Sequence, residues 1–512
     1  MRSQLAWSRL EVLGFLLAGC ALAYPFWHTA RPPIEDMPQH VAMVRMLGHL
    51  HDDALGYAAY YELSGRNPPY LAWYSVIVAL SYLVGPVAAV KCAYTAPIVL
   101  TPLAVRATLR SLGRPTGVAW AASGLTWNSM LLLGFVQFLT AVPALFFGIA
   151  AAVRLLDEPT RRGRWSCGAW ALLTFCCHPF ASFVLLCCLA GVMVTAREGA
   201  RKSLVLACTP VALAVLAWAL LVGGDGQARG APVYVAAEQA RQDVPLWLGD
   251  ILSGPGDELR LAAWLGLVAV GCLAAFCDPR DSEPFPNKLR VRALGAVGLG
   301  LMAAYFVLPI AVGWIWPIAP RALLLGSLLL LVALPWSRRL APVLITLHLT
   351  LTAVTAVQVT TAFAAFEEEE GDFETAMEHI PMRTRFALWA PRTDSAHVGW
   401  WPYTHWGGWV HAERGGGTAF SFASHPSMPV AWRSSLPPPP PIPGNGIQVH
   451  RASPARDLPW FEHVLVRGDG TALARSGLFQ PVYVGREWSV WERTTPGSLR
   501  VRAPAPAWTD HR

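Results

Sequence analysis

The chain has 512 residues, of which 54% are hydrophobic and only 14% are charged, and its mean hydropathy is +0.39. A soluble globular protein carries about 25% charged residues, so these values exclude a string of soluble domains as well as disordered, collagen-like and coiled-coil chains. The net charge of +7 is spread over many segments instead of one basic patch, which argues against nucleic-acid binding. The composition therefore predicts a polytopic α-helical membrane protein.

The first apolar run covers residues 10–27 and follows Arg2 and Arg9. It contains two sequences that resemble processing sites, a signal-peptidase box at 21–23 and a lipobox at 17–20. The run continues past both of them, and its 18 residues are long enough to span a bilayer. We therefore expect an uncleaved first transmembrane helix.

Further apolar runs follow, and each of them must satisfy its own backbone hydrogen bonds as a helix if it lies in a bilayer. They cover residues 68–86, 92–109, 116–134, 135–153, 165–178, 180–196, 203–222, 261–277, 293–312, 318–335 and 340–363. Cytoplasmic loops are enriched in Lys and Arg. If 68–86 lies in or on the membrane and every other run crosses, the cytoplasmic segments hold more than twice as many of these residues as the outer loops. This arrangement has about 11 spans; if 68–86 also crosses, every later loop inverts.

The preferred arrangement predicts a multi-pass protein of a bacterial cytoplasmic (inner) membrane with a cytoplasmic N-terminus. Residues 1–363 form a transmembrane domain that has a large first outer loop (28–91) and a second outer loop (223–260). Residues 364–512 then form a soluble extracytoplasmic domain.

That last domain has the pattern of a β-rich α+β fold, because short β-prone runs alternate with turn residues. The runs cover residues 385–390, 418–423, 446–450 and 463–467, and a closing hairpin is expected from 481–484 and 488–492. The polyproline stretch 437–441 is typical of a stiff internal linker.

The most informative local motif is the sequence 32–40, which lies just outside the first apolar run and contains Glu35, Asp36 and His40. Paired carboxylates at a membrane surface are suited to general-base catalysis or to binding a divalent cation. His40 follows Asp36 by four residues, so a helix that begins at Pro38 or earlier would place both on one face. Asp36 is also a sound N-cap for that helix, and the cap and the catalytic interpretation are compatible.

This arrangement resembles the GT-C glycosyltransferases, which include protein mannosyltransferases, aminoarabinose transferases and oligosaccharyltransferases. The resemblance rests on the first helix, the acidic pair at its outer exit, the large first outer loop, an apolar piece that opens with Asn67-Pro68-Pro69-Tyr70, the many spans and the outer C-terminal domain. It implies transfer of a sugar from a polyprenyl-phosphate carrier to an acceptor at the extracytoplasmic face. The first-loop carboxylate of the family falls on Asp36, with Glu35 second.

Transfer from a lipid phosphate to a hydroxyl also needs cations that stabilise the departing phosphate. The outer loops offer Arg321, Lys91 and Arg66, and His178 lies between two short spans at the same face. We expect these residues and His40 to bind substrate. The alternatives are interfacial snorkelling for Arg321 and Lys91 and a helix-breaking turn at His178-Pro179. The expected partners are a lipid-linked sugar donor and membrane lipid, and the cofactor is unknown, with a divalent cation as the candidate.

The C-terminal region contains His397, His405, His411 and His425 among several tryptophans. Their spacing fits no tight zinc pattern; the tryptophans suit either a glycan-binding surface or a plain aromatic core, and the core is favoured. The acidic run 367–370 is expected to be a solvated helix end.

Two functions of other classes remain open. A non-enzymatic membrane scaffold would use the outer domain to bind a glycan or a partner protein. A transporter or flippase is less favoured, because coupled transport usually places ionisable groups inside the spans and the apolar runs carry almost none.

Overall fold

The computed structural model describes residues 2–64, 68–224, 230–254, 256–277, 287–313, 315–425, 428–437 and 453–494. The described chain is mostly helical. The α-helices, in chain order, are α1 (Arg2–His28), α2 (Met37–Gly48), α3 (Pro68–Val84), α4 (Pro86–Ser111), α5 (Ala119–Ser123), α6 (Ser129–Leu133), α7 (Val136–Asp157), α8 (Arg161–Cys177), α9 (Pro179–Met193), α10 (Glu198–Gly224), α11 (Ala237–Gly249), α12 (Gly256–Cys277), α13 (Lys288–Val307), α14 (Ala319–Ala333), α15 (Ala341–Glu370), α16 (Phe373–Glu378), α17 (Gly407–Arg414), α18 (Pro454–Asp457) and α19 (Thr471–Ser476).

Short 3-10 helices occur at Tyr57–Ala59, Thr116–Val118 and Phe422–Ser424. The strands are β1 (Tyr61–Leu63), β2 (Pro232–Val233), β3 (Ala311–Val312), β4 (Arg385–Trp389), β5 (Gly417–Thr418), β6 (Val430–Trp432), β7 (His463–Arg467), β8 (Phe479–Val484) and β9 (Trp488–Arg493).

Seven of the described helices are long and apolar enough to cross a membrane. They are α1, α4, α7, α10, α12, α13 and α15, and each contains or overlaps one of the apolar runs. Helices α3, α9 and α14 are apolar but shorter. The prediction of a mostly helical chain with several helices long and apolar enough to cross a membrane is confirmed.

The run 116–134 differs from the expectation of one continuous helix, because only short helical pieces form there. Between α5 and α6, polar side chains bind the backbone carbonyls that a continuous helix would have used. The Thr126 hydroxyl donates to the Ser123 carbonyl at 2.8 Å, and the Asn128 amide donates to the Leu125 carbonyl at 2.7 Å. Apolar composition alone does not reveal this local competition.

The chain divides into two compact units. The helical unit comprises Met1–His28, Cys92–Leu131 and Phe135–Thr361, and the mixed unit comprises Thr29–Lys91, Leu132–Gly134 and Ala362–Arg512. Within the helical unit, α13 and α14 approach closely through small residues: a Cβ on Gly298 would lie 3.2 Å from the Gly326 carbonyl oxygen. Such close backbone approach is a common way for membrane helices to pack.

The mixed unit contains a five-stranded sheet in the order β5-β4-β7-β9-β8. Strand β4 is parallel to β5 and β7, whereas β9 is antiparallel to β7 and β8. The expected strands 385–390 and 463–467 and the closing hairpin are therefore confirmed. The expected strand 418–423 is wrong beyond Thr418, since a 3-10 helix begins at Phe422. The expected strand 446–450 and the polyproline stretch beyond residue 437 lie outside the described residues.

The sheet is accompanied in this unit by residues from the first predicted outer loop. Strand β1 pairs antiparallel with β6, with Tyr61 opposite Trp432 and Leu63 opposite Val430. The sheet core is aromatic and aliphatic, and includes Trp389, Phe461 and Leu473. The pairing of β1 with β6 joins the first predicted outer loop to the predicted C-terminal domain, which the sequence analysis treated as separate regions.

The acidic run at the end of α15 is solvated in its first half only: Glu367 and Glu368 are exposed, as expected, whereas for Glu369 and Glu370 the expectation was wrong. Glu370 is 4% exposed and forms an ion pair with Arg31 at 2.8 Å. Glu369 pairs with Arg467 of β7, also at 2.8 Å. These carboxylates hold the mixed unit together, because each of them meets a distant arginine.

Candidate functional site

Asp36 lies directly before α2, at the N-cap position, yet its side chain makes no hydrogen bond to the helix. Its Oδ1 instead lies 2.7 Å from Nδ1 of His405. The Asp36 and His405 side chains are 14% and 11% exposed. An ionised carboxylate only accepts hydrogen bonds, so Nδ1 donates to Asp36 and the second ring nitrogen, Nε2, has no hydrogen-bond partner among the described residues.

The close packing of α2 against the start of α17 brings this pair together. A Cβ on Gly408 would lie 2.5 Å from the Pro38 carbonyl carbon and 2.8 Å from the Gln39 nitrogen. Such distances leave room only for glycine. His405 stands three residues before Gly408, so the same contact carries its ring to the N-terminal end of α2.

A second glycine borders Asp36 from the segment 132–134. Gly134 has φ +95°, and a Cβ at this position would lie 2.4 Å from the Asp36 Cβ. The Glu35 N–H donates to the Leu132 carbonyl at 2.9 Å. This short segment therefore fixes the backbone on which both predicted carboxylates stand.

Glu35 is buried, and its Oε2 has no hydrogen-bond partner within the described part of the chain. Burial raises the pKa of Glu35 well above its usual value, and the neighbouring Asp36 charge raises it further. Glu35 and Asp36 thus stand in different environments, since only Asp36 has an imidazole partner. Adjacent carboxyls with unequal surroundings can divide the tasks of proton acceptor and proton donor.

His40 lies one helical turn after Asp36, as expected, and its ring is 2% exposed. Nε2 donates to the Gly134 carbonyl at 3.1 Å, and Nδ1 lies 2.7 Å from the Tyr74 hydroxyl. Burial lowers the pKa of His40 to about 4, against a smaller opposite effect of Asp36. His40 is therefore neutral at neutral pH, and both ring nitrogens hold protein groups around the site.

Two phenylalanines contact the His405 ring. The Phe420 ring stacks on the imidazole at 4.4 Å between centroids, with 14° between the planes. Phe422 meets the imidazole edge to face at 6.1 Å, and its N–H bonds the Gln39 side chain at 3.3 Å. The His405 ring is thus held by one hydrogen bond and one stacking contact.

The predicted cationic residues are distributed over both units. In the helical unit, the Arg321 guanidinium lies 5.9 Å from the centre of the Phe138 ring, which His178 also contacts at 5.4 Å. In the mixed unit, the Lys91 ammonium donates to the Thr29 carbonyl at 2.7 Å. Arg66 lies outside the described residues. The structure thus groups Arg321 with His178, and Glu35 with Asp36 and His40.

The C-terminal aromatic residues form mainly a core. Trp406 and Trp409 are buried, whereas Trp401 is 38% exposed. His411 is buried too, and burial lowers its pKa to about 4. Over the ranges that the structure describes, no group of three or more His, Cys, Asp or Glu side chains is placed to hold a metal ion.

Sequence reasoning missed the role of His405, which it considered only as one of four histidines with poor zinc spacing. Asp36 and His405 are separated by 369 positions, so no local pattern pairs them. The signal that was present is weaker: His405 lies in an aromatic segment that ends in two glycines, Gly407 and Gly408. Comparison of the chain with protein-family models, with curated proteins and with solved structures yields no match.

Proposed function

We propose that this protein is an integral membrane glycosyltransferase that moves a sugar from a polyprenyl-phosphate carrier to an acceptor hydroxyl at the extracytoplasmic face. The observation that carries the proposal is the hydrogen bond between Asp36 and His405. A carboxylate that orients an imidazole, both of them partly exposed, is a proton-accepting centre. It stands at the residue where the GT-C resemblance expects one.

The reaction needs such a centre. The acceptor oxygen forms a bond to the sugar carbon, the bond from that carbon to the phosphate oxygen breaks, and the lipid phosphate leaves with the electron pair. The acceptor proton passes to a base, and removing it in the transition state contributes roughly 100-fold to 10,000-fold in rate. Binding of the anionic donor phosphate by Arg321 stays a prediction from the sequence; within the helical unit, Arg321 and His178 both contact the Phe138 ring.

The proposed topology is GT-C-like, with about 11 spans. Besides the seven long helices, α8, α9, α14 and the broken segment 116–134 would cross. Helix α3 stays in or on the membrane: Trp73 and Ile77 are buried, whereas Val76 and Leu83 on its other side are 67% and 82% exposed. A helix that is apolar on both sides suits contact with lipid.

The first test is Asp36→Asn. The amide keeps the size of the side chain but removes its charge, so we expect normal membrane insertion and a loss of transfer of about 100-fold or more. The assay uses membranes supplied with radiolabelled polyprenyl-phosphate mannose, glucose, arabinose and aminoarabinose. Asp53→Asn is the matched control, because Asp53 is an exposed carboxylate of the same loop.

Full transfer in Asp36→Asn would contradict the assignment of Asp36 to the catalytic centre, and Glu35→Gln would then be the next variant to test. If the wild-type protein transfers none of the four sugars while its C-terminal region binds glycan or protein, the scaffold function is correct instead.

A further inference from the structure

We infer that the atom which takes the acceptor proton is Nε2 of His405, and that Asp36 is the residue that positions this imidazole. The inference rests on the proposed function and specifies its base. It differs from direct proton abstraction by Asp36, which the first-loop carboxylate alone would suggest. The geometry around each of the two side chains favours the imidazole.

The Asp36 carboxylate is already engaged and crowded. Its Oδ1 is occupied by the 2.7 Å hydrogen bond to His405, and Gly134 lies against its Cβ so closely that a methyl group would not fit. A carboxylate held in this way can orient a partner and balance its charge. It is less suited to approach a substrate.

The His405 imidazole has the complementary arrangement. Its Nδ1 proton is directed to Asp36, and the Phe420 stack fixes the plane of the ring. In an imidazole the two nitrogens point in divergent directions, so Nε2 points away from Asp36. With Nδ1 protonated, the lone pair of a neutral imidazole lies on Nε2 and can accept a proton.

The charges around the ring also favour a proton on His405 after the reaction. The titratable groups on the neighbouring segments are Asp36, Glu35 and His40. Burial keeps His40 neutral, with a pKa of about 4, and burial raises the pKa of Glu35 well above its usual value. Asp36 is the carboxylate in hydrogen-bond contact with the imidazolium that forms, and opposite charges at this distance stabilise each other.

The proposed step is balanced. The acceptor hydroxyl gives its proton to Nε2 while its oxygen bonds to the sugar carbon. The carbon–oxygen bond to the lipid phosphate breaks, and the phosphate leaves with both electrons. The imidazolium then returns its proton to water, so the protein ends unchanged and no oxidant or reductant is needed.

The variant that separates the two bases is His405→Asn. An asparagine amide can still donate a hydrogen bond to Asp36 from near the position of Nδ1, but it has no atom equivalent to Nε2. If His405 is the base, transfer falls about 100-fold or more while KM for the donor changes little. If Asp36 is the base, His405→Asn keeps most of the activity. His397→Asn is the matched control for substitution of an exposed histidine in the same unit.

A readout that does not depend on transfer is the reaction of histidines with diethyl pyrocarbonate, followed by mass spectrometry of the peptides. The reagent modifies neutral imidazoles, so we expect labelling of His405 and not of the buried His40 and His411. A His405 that remains unlabelled in the folded protein would overturn the inference.

The outcomes separate the two proposals. Loss of transfer in both Asp36→Asn and His405→Asn, together with labelling of His405 in the folded wild-type protein, supports both. Loss in Asp36→Asn alone keeps the glycosyltransferase but refutes His405 as its base. Absence of transfer by the wild-type protein from any tested donor refutes the glycosyltransferase and, with it, the role of His405.

Discussion

At the scale of single residues, Asp36 shows how a local context redirects a common side chain. An N-cap carboxylate accepts a hydrogen bond from the second or third residue of its helix. The second residue of α2 is Pro38, which has no N–H. The third, Gln39, lies under Gly408 of α17. The Asp36 side chain is therefore left for His405, and the proline is the one sign of this in the sequence.

Buried histidines make the mixed unit sensitive to acid. The pKa of His411 is lowered by burial to about 4, whereas an unfolded histidine titrates near 6.5. Between these pH values the unfolded chain binds a proton that the folded chain does not. The stability contributed by a neutral His411 is therefore complete above about pH 6.5 and is lost as the pH falls toward 4, at about 1.4 kcal/mol per pH unit.

We expect His411→Gln to reduce this pH dependence of unfolding, measured by tryptophan fluorescence at several pH values between about 7 and 4. Tyr57→Phe is the control: it removes the hydrogen bond from the Tyr57 hydroxyl to the His411 carbonyl but no group that titrates in this range. It should lower stability equally at each pH. An unchanged slope in His411→Gln would show that His411 is accessible to protons in the folded protein.

At the scale of elements, the site depends on how closely two helices approach. Helices α2 and α17 meet where Gly408 touches the Pro38 carbonyl, and no stretch of either sequence indicates this contact by itself. The segment 116–134 is a second case in which the sequence pattern does not show how an element is built, here whether a helix is continuous. Its apolar composition predicts one span, but hydroxyl and amide side chains at Thr126 and Asn128 take carbonyls out of the helix.

Gly408→Ala adds a single methyl group, but we expect this substitution to disrupt the contact between α2 and α17 and therefore the site. The added methyl would stand 2.5 Å from a backbone carbon, so the helices must separate; overpacking of this kind costs about 1–3 kcal/mol. We expect a lower unfolding temperature and loss of the contact between Asp36 and His405, seen as reduced transfer. Gly48→Ala in α2 is the control, because its new methyl would meet side chains only, Tyr82 at 3.4 Å and Val78 at 3.7 Å, which are ordinary contact distances. Equal effects of the two substitutions would show that the close contact is not required.

At the scale of the whole molecule, the sequence was most informative where composition decides the structure. Apolar runs predicted all seven of the long apolar helices among the described residues, because a helix is the one way for an isolated apolar segment to satisfy its backbone in lipid. The β7 strand and the β8–β9 hairpin followed from alternating residues and turns. The pairing of β1 with β6, the ion pairs of Glu369 and Glu370, and the Asp36–His405 contact join distant positions, which one sequence does not relate.

The proposed topology is tested with alkaline phosphatase, which is active only when exported. The predicted outer domain begins at residue 364, but this residue lies within α15, so a fusion there would interrupt a helix. The informative fusions are therefore at the last residue of the chain and in the connection between α7 and α8. We expect an active reporter at the first position and an inactive one at the second, where the flanking arginines face the cytoplasm. The reverse pattern would show that α3 crosses the membrane.

The separation of 369 positions between Asp36 and His405 has a consequence for biosynthesis. Ribosomes add about 5–20 residues per second. His405 is therefore synthesised roughly 20 to 75 seconds after Asp36. During that interval the growing chain contains Asp36 but not His405. If His405 is the base, as proposed, a fragment that ends before residue 405 would be inactive in the transfer assay. The proposed activity would therefore require synthesis of the chain at least through residue 405.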